Sequence, residues 1–150
     1  MRRSSSMRVG VAMTARAPRR GSADAALARA ARAARKRAYA PYSRFRVGAA
    51  VRAGGAVHSG CNIENASYGL TVCAERVAVA AAVAAGARRI EAVAVASGTD
   101  EPTPPCGMCL QTLAEFAGPE LPVRLVGARG GTLDTTLGEL LPRAFTKRFL

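Results

Sequence analysis

The chain has few of the side chains and segments that commonly identify a site or a compartment. Its 150 residues contain one histidine, no tryptophan and 5% aromatic residues. The longest uncharged apolar run, Val77 to Ala87, is too short to cross a bilayer. Four cysteines without a signal peptide argue against a disulfide scaffold. We therefore expect neither a membrane protein nor a secreted disulfide-rich domain, and we predict a cytoplasmic location.

Acidic residues are also scarce, with 10 Asp and Glu against 22 Lys and Arg and a net charge of +12. This balance raises the alternative of a nucleic-acid-binding protein. Six of the basic residues, half of the net charge, lie in residues 1–22, which contain no acid. We predict that residues 1–22 form a flexible basic tail and that residues 23–150 form one domain. Specific nucleic-acid binding is not expected.

Alanine supplies much of the 49% hydrophobic content. Small side chains bury little area each, so such a core is stabilised by close packing of its elements or by assembly into an oligomer. A first helix is predicted over 23–38, with Ser22 as its cap and Leu27, Ala30, Ala31 and Ala34 on its apolar face.

The remaining pattern alternates strands with helices. Gly54-Gly55 predicts a hairpin turn. We predict a three-layer α/β/α sandwich with a five-stranded mixed sheet. The β-α-β-α-β part is expected to give parallel neighbours, and the hairpin adds an antiparallel edge. The predicted strands are 45–53, 56–62, 90–97, 123–126 and 132–136, and the predicted helices are 72–85, 106–117 and a turn at 137–141.

Three cysteines are predicted to lie where helices begin: Cys73, Cys106 and Cys109. Cys106 and Cys109 are three residues apart and share one helix face. The partial positive charge of a helix N-terminus favours thiolate over thiol. Three thiolates suit Zn²⁺ and leave its fourth position open for water, as in a catalytic zinc site.

Two further residues are possible fourth ligands, Cys61 and His58, and both lie on the second hairpin strand. Because they are three apart on a strand, their side chains point to opposite faces and cannot both reach the metal. We expect neither to bind it. Cys61 is predicted to be a small buried residue and His58 an exposed strand residue.

A carboxylate and a cation follow the first cysteine directly. Glu75 can lean over a metal-bound water and move its proton, although an acid in the first helical turn is by itself commonly a partner of the helix dipole. Three thiolates leave the site with a net charge of −1, which opposes ionisation of that water. Arg76 is the candidate to offset this charge.

Together these motifs resemble the small homotetrameric zinc-dependent cytidine deaminases of the three-cysteine branch. The resemblance spans about residues 25–146 and implies the cytidine deaminase fold. It rests on the segments Tyr39–Ser43, Phe45–Ala50, Gly60–Ala66, Cys73–Arg76, Pro105–Cys109 and Leu140–Phe145.

The resemblance implies that one Zn²⁺ per subunit is bound by Cys73, Cys106 and Cys109, with water as the fourth ligand. It implies hydrolytic deamination of cytidine and 2′-deoxycytidine to uridine and 2′-deoxyuridine plus ammonia, a reaction of pyrimidine salvage. In this chemistry Glu75 would be the proton shuttle and not a ligand.

The resemblance also assigns the residues that bind substrate. Asn62 and Glu64 match positions that bind the ribose, Phe45 matches an aromatic that lines the pyrimidine pocket, and the backbone of Ala74 matches a contact to the base. Tyr68 and Phe145 match residues near the site of a neighbouring subunit, which implies a homotetramer that shares residues between sites.

One departure from the family pattern leaves an alternative open. The family usually has Arg after the last zinc-binding cysteine, and this chain has Leu110. A second hypothesis is therefore a deaminase of a cytosine-containing antibiotic, of the blasticidin-deaminase type, or of a modified nucleoside. A third is a structural zinc module that binds nucleic acid, which would need a fourth protein ligand and have no use for Glu75.

Overall fold

The computed structural model describes residues 20–150, and the side chains from residue 25 onward. Residues 1–19, most of the predicted basic tail, lie outside the described residues. Helix α1 is Arg20–Arg35, so it begins and ends three residues earlier than predicted. Ser22 therefore lies inside the first turn and is not the cap. The helix ends early because Arg37 and Ala38 donate to carbonyls only three residues back, which tightens the chain into a turn.

Five strands form one sheet in the order β2-β1-β3-β4-β5. Within residues 20–150, no helix is long and apolar enough to span a bilayer. Short 3₁₀ turns occur at Tyr68–Leu70 and Lys147–Phe149. The strands are β1 Val47–Ala53, β2 Ala56–Cys61, β3 Ala92–Ser97, β4 Pro122–Val126 and β5 Thr132–Thr136, and the helices after α1 are α2 Ala74–Ala84, α3 Gly107–Phe116 and α4 Leu137–Leu140.

The mixed sheet is confirmed, but the predicted strand neighbours are partly wrong. β3 and β4 are parallel neighbours, as predicted. β1 lies between β2 and β3 and is antiparallel to both, so β2 and β3 do not meet. The cause is burial: β1 is apolar and almost wholly covered, which suits the centre of a sheet, while β2 is largely exposed and occupies an edge.

Two apolar clusters cover the two faces of the sheet and confirm the three layers. On one face, α1 packs its predicted apolar stripe, centred on Leu27 and Ala31, against alanines of β1 and β3. On the other face, α2 and α3 pack against Val51, Val93 and Val95. The alanines of β3 face α1 and its valines face α2 and α3, because successive strand residues point to opposite faces of the sheet.

Close approach of helices to the sheet depends on two glycines. A Cβ on Gly48 would lie 2.1 Å from the carbonyl oxygen of Ala31 in α1. A Cβ on Gly60 would lie 2.5 Å from the backbone nitrogen of Ala78 and 2.7 Å from the carbonyl oxygen of Ala74, both in α2. Backbone atoms cannot move aside as a side-chain tip can, so these positions require glycine for the observed helix spacing.

We predict that Gly60→Ala destabilises the fold, because its methyl group would overlap the backbone of α2. The expected loss in free energy of unfolding is about 1–3 kcal/mol, the usual cost of overpacking. A urea unfolding midpoint measures it. Gly69→Ala is the matched control, since nothing lies within 4 Å of the added methyl group there. Equal midpoints for the two variants would contradict the assignment.

Candidate active site

The site lies at one end of the sheet, where the start of β1 is beside the ends of β2 and β3. Val47 at the start of β1 is paired with Ser97 at the end of β3, and Gly48 is paired with Cys61 at the end of β2. Because β1 runs opposite to its two neighbours, its first residues lie beside their last ones. Helices α2 and α3 follow β2 and β3, and both begin near this end.

Cys73 and Cys106 directly precede α2 and α3, and Cys109 lies in the first turn of α3. The Sγ atoms of Cys73 and Cys106 are 4.0 Å apart, and those of Cys106 and Cys109 are 3.6 Å apart. Zn–S bonds of about 2.3 Å in tetrahedral geometry would set neighbouring sulfurs about 3.8 Å apart. Both distances are close to this value, and all three sulfurs lie within 4.8 Å of one another, so the cluster is compatible with one zinc ion.

Neither proposed fourth ligand belongs to this cluster. Within the part of the chain that the structure describes, the group able to hold a metal consists of Cys73, Cys106 and Cys109 alone. Cys61 and His58 are both half-buried on β2, whereas burial of the first and exposure of the second were predicted. The reason is that β2 is an edge strand, so neither of its faces is fully covered. Among residues 20–150 the cluster thus offers three thiols that could hold a metal ion, with no fourth protein group beside them.

The surroundings shift the pKa values of Cys73 and Cys109 in opposite directions. The hydrogen-bonded Cys109 thiol and the Arg76 guanidinium lower the pKa of Cys73 to about 5. The Cys73 sulfur, burial and the charge of Glu75 raise the pKa of Cys109. Since neighbouring anions oppose one another, these sulfurs do not all ionise unaided. A divalent cation supplies the missing positive charge, so the donor set suits a metal chemically as well as geometrically.

Glu75, the second residue of α2, is a buried carboxylate beside this cluster, with 5% of its surface exposed. Burial raises its pKa, and the charge of Cys73 adds to this, while a hydrogen bond with Cys109 opposes it. A carboxyl group whose pKa is raised can both accept and donate a proton near neutral pH. Residues two apart do not share a face of a regular helix. Glu75 nevertheless lies beside the three cysteines, because Cys73 precedes the helix and only Glu75 is within it.

Arg76, on α2, contacts the group formed by Cys73, Cys106 and Cys109. Its Nη2 donates to the carbonyl oxygen of Thr71 at 3.1 Å and lies 4.0 Å from the Sγ of Cys73. Its Nε is buried with no hydrogen-bond partner among the described residues. Leu110, at the position where the family usually has Arg, is 7% exposed and packs in the apolar core.

A pocket of about 340 Å³ opens above the thiols and Glu75. Phe45, Val47 and Val95 supply apolar wall, and Ala74 lines it next to Glu75. Of the residues predicted from the sequence, the pocket brings together Phe45, Asn62, Glu64, Cys73, Ala74, Glu75 and Cys106. Cys109 lies beneath the surface, fully buried.

Asn62 and Glu64 hold the segment that forms the pocket rim. The Oδ1 of Asn62 accepts from the Val47 nitrogen and its Nδ2 donates to the Phe45 carbonyl, each at 2.8 Å. The Oε2 of Glu64 accepts from the backbone nitrogens of Tyr42 at 2.8 Å and Ser43 at 3.3 Å, and its Oε1 accepts from the Ser43 hydroxyl. The Ser43 hydroxyl and the two backbone N–H groups keep the pKa of Glu64 low.

Tyr68 and Phe145 do not line this pocket. Tyr68 is 75% exposed and lines an adjacent, more open depression of about 390 Å³ together with Glu64. Phe145 is 59% exposed, stacks on Phe149 at 5.7 Å between ring centres, and its carbonyl accepts from the Nε2 of Gln111 at 2.7 Å. Both rings therefore lie on the surface of this chain.

Several pocket residues were not singled out by the sequence analysis. Ser43, Thr71, Ser97 and Thr103, all residues with a hydroxyl group, also line the pocket. Ser43 lies in a segment that carried the family resemblance, so a signal for it existed. Ser97 and Thr103 come from the end of a strand and from a proline-rich loop, and nothing in their spacing predicts that they meet.

Residues 22–124 match the family described as the cytidine and deoxycytidylate deaminase zinc-binding region. A cytidine deaminase of Sporosarcina psychrophila is 48% identical over 118 residues, which cover 78% of this chain and 87% of that protein. The chain belongs to the cytidine deaminase family. A crystal structure of cytidine deaminase from Burkholderia pseudomallei matches with a TM-score of 0.77 and 51% identity, covering 81% of this chain and 98% of that one.

A blasticidin-S deaminase of Bacillus cereus is also similar, but at 32% identity over 114 residues, 70% of this chain and 80% of that protein. The antibiotic-deaminase alternative is therefore the more distant likeness. The α/β fold and the family predicted from the sequence are confirmed, and the three-cysteine group fits the zinc of the family.

We predict that Arg76→Gln weakens zinc binding by about 10- to 100-fold, because it removes the cation that contacts the Cys73 sulfur. Zinc content after timed dialysis against a chelator measures the effect. Arg89→Gln, at an exposed position beyond the end of α2, is the control for a general loss of positive charge. Equal zinc retention in the two variants would show that Arg76 does not strengthen zinc binding.

Proposed function

We propose that this protein is a zinc-dependent cytidine deaminase that converts cytidine and 2′-deoxycytidine to uridine and 2′-deoxyuridine, with water consumed and ammonia released. The observation that carries the proposal is the buried Glu75 carboxylate beside three zinc-compatible thiols, at the inner end of a pocket. Membership of the family and the names of the relatives support the same reaction.

Cys73, Cys106 and Cys109 would hold the metal, which when bound supplies an acidified water as nucleophile. Glu75 then accepts a proton from the attacking water and passes it to the ring nitrogen beside the amino-bearing carbon. It takes a second proton from the hydroxyl group now on the attacked carbon and gives it to the amino group, so that the carbonyl forms as the C–N bond breaks and ammonia leaves. Its raised pKa suits both directions of transfer.

The opposite end of the pocket suits a sugar. A carboxylate offers about four acceptor positions, and three on Glu64 are taken by Tyr42 and Ser43. One position on Oε1 remains for a sugar hydroxyl. The Asn62 amide keeps one N–H and one lone pair beyond its two backbone contacts. Both residues would bind the sugar and at the same time hold the rim that carries Phe45.

Two alternatives from the sequence have less support. Deamination of a blasticidin-like compound would use the same metal chemistry, but Asn62 and Glu64 offer polar groups suited to a sugar. A structural zinc module needs a fourth protein ligand, and none joins the three thiols among residues 20–150. It would also leave a buried carboxylate beside the metal without a role.

We also propose a cytoplasmic homotetramer in which neighbouring subunits complete each site. Free thiols persist in reducing compartments, which supports the location. Tyr42, Tyr68, Leu70, Phe145 and Phe149 are large apolar side chains at least half exposed. Tyr68 lies next to Glu64 at the pocket mouth. A neighbouring subunit that covered these apolar side chains would close the mouth.

Glu75→Gln is expected to lower kcat for cytidine by at least about 100-fold, because the amide cannot move protons. The variant should retain one zinc per chain, since Glu75 is not among the three ligands. Ammonia release and metal analysis on the same sample provide both readings. Glu115→Gln, an exposed acid on α3, is the matched control. Near wild-type turnover by Glu75→Gln would show the proposed mechanism to be wrong.

Subunit mixing tests whether sites are shared. We expect Glu75→Gln and Phe145→Ala to be weak when each is pure, and activity to return when the two are co-expressed. Random mixing would give about a quarter of the sites an intact Glu75 from one subunit and an intact Phe145 from another. Light scattering should give the mass of four chains. Activity equal to the mean of the two pure variants would argue that Phe145 serves its own subunit or none.

A further inference from the structure

The Ser43 hydroxyl lies between the Glu64 carboxylate and the backbone of Phe45. Its oxygen accepts from the Phe45 N–H at 3.0 Å, and its proton is donated to Oε1 of Glu64. The direction of the second bond is fixed, because an ionised carboxylate has only acceptors. One side chain therefore connects the carboxylate proposed for the sugar to the backbone that carries a ring of the pocket wall.

The backbone of Phe45 is held by side chains and not by the sheet. β1 begins two residues later, at Val47, so Phe45 has no partner on a neighbouring strand. Among residues 20–150, its N–H bonds to the Ser43 hydroxyl, and its carbonyl oxygen accepts from Nδ2 of Asn62 at 2.8 Å. The place of the Phe45 ring in the pocket therefore depends on two side chains, Ser43 and Asn62.

The turn between Ser43 and Phe45 has an unusual backbone conformation. Arg44 has a φ of 59° and is the one residue other than glycine with a positive φ among residues 20–150. A residue with a Cβ keeps this left-handed conformation only where its surroundings hold it, and such residues cluster at functional sites. Here the Arg44 nitrogen donates to the carbonyl oxygen of Ala40 at 3.0 Å, and the Ser43 hydroxyl bonds hold the other side of the turn. The chain thus retains a strained turn at which one hydroxyl reaches both Glu64 and Phe45.

We propose that Ser43 is a positioning residue that joins Glu64 to Phe45, so that the sugar site and the wall for the base are set as one unit. The inference rests on the proposed deamination of cytidine. The Ser43 proton is already used inside the protein, so its effect on the substrate passes through the two residues that it holds. Groups held in their binding positions in advance lose less freedom when a ligand arrives. Ser43 therefore acts on nucleoside binding and not on proton transfer by Glu75.

Ser43→Ala removes the hydroxyl group that makes this connection. We expect the KM for cytidine to rise by about tenfold or more, the value of one hydrogen bond to a charged group. Because Glu75 and the three cysteines are unchanged, kcat should stay within about twofold of wild type, as for a loss of binding alone. Ser43→Thr keeps the hydroxyl and adds its methyl group at an exposed position, so it should restore the KM. Ser59→Ala, at an exposed serine on β2, is the matched control.

Hydrogen exchange at the Phe45 amide tests the same connection without a measurement of activity. Ser43→Ala should speed this exchange by about three- to tenfold, the worth of one neutral hydrogen bond. Glu64→Ala should speed it as well, because the Ser43 hydroxyl then loses the carboxylate that holds it toward Phe45. Ser59→Ala should leave it unchanged. Exchange is followed by NMR on each isotope-labelled, zinc-loaded protein.

The outcomes separate this inference from the proposed function. If wild type does not deaminate cytidine, the proposed function fails, and the exchange rates still decide whether Ser43 joins the two residues. If wild type is active, an unchanged KM in Ser43→Ala, or a fall in kcat alone, overturns the inference. A raised KM that Ser43→Thr fails to restore also overturns it, because the lost hydroxyl is then not the cause. Unchanged Phe45 exchange in Glu64→Ala would show that the carboxylate and the ring are held independently, which contradicts the proposal.

Discussion

Repulsion among three thiolates is the constraint on which the rest of the structure depends. Sulfurs within 4.8 Å of one another cannot all be ionised unless positive charge surrounds them. The protein meets this with the N-termini of α2 and α3 and with the Arg76 guanidinium, and a metal would supply the remainder. Both helices must therefore begin at the same end of the sheet. The glycine at position 60 lets α2 approach closely enough for that arrangement.

The pocket built on this base changes in polarity from one end to the other. The metal end contains thiols and a buried carboxyl group, whereas the rim contains the Asn62 amide and the Glu64 carboxylate. Asn62 and Glu64 also bond the backbone of the rim segment. Binding groups that are already hydrogen-bonded lose little freedom when a ligand arrives, so the rim is organised in advance.

Most elements could be predicted from local pattern, and the exceptions share one physical cause. The hairpin, the buried strand β3 and the helices after the cysteines lie within a few residues of their predicted bounds. The predicted strand neighbours were partly wrong because β1 lies inside the sheet, between β2 and β3. Its burial there depends on the helices that cover both faces. His58 and Cys61 were misjudged for the same reason, since exposure on an edge strand depends on its neighbours. The contacts among the hydroxyl groups of Ser97, Thr99 and Thr103 could not be predicted, because these residues meet only after the loop folds back on β3.

By itself the sequence determined which groups the site contains: three thiols, a carboxylate and an adjacent arginine. Residue types and their spacings can be read directly from the chain. It also determined the layer architecture through the periods of its apolar residues. Only the tertiary structure decided that the sulfurs lie at zinc-compatible distances, that Glu75 is buried among them, and that no fourth protein ligand joins them within residues 20–150. Distance and burial are properties of packing between segments far apart in the chain, and local pattern contains neither.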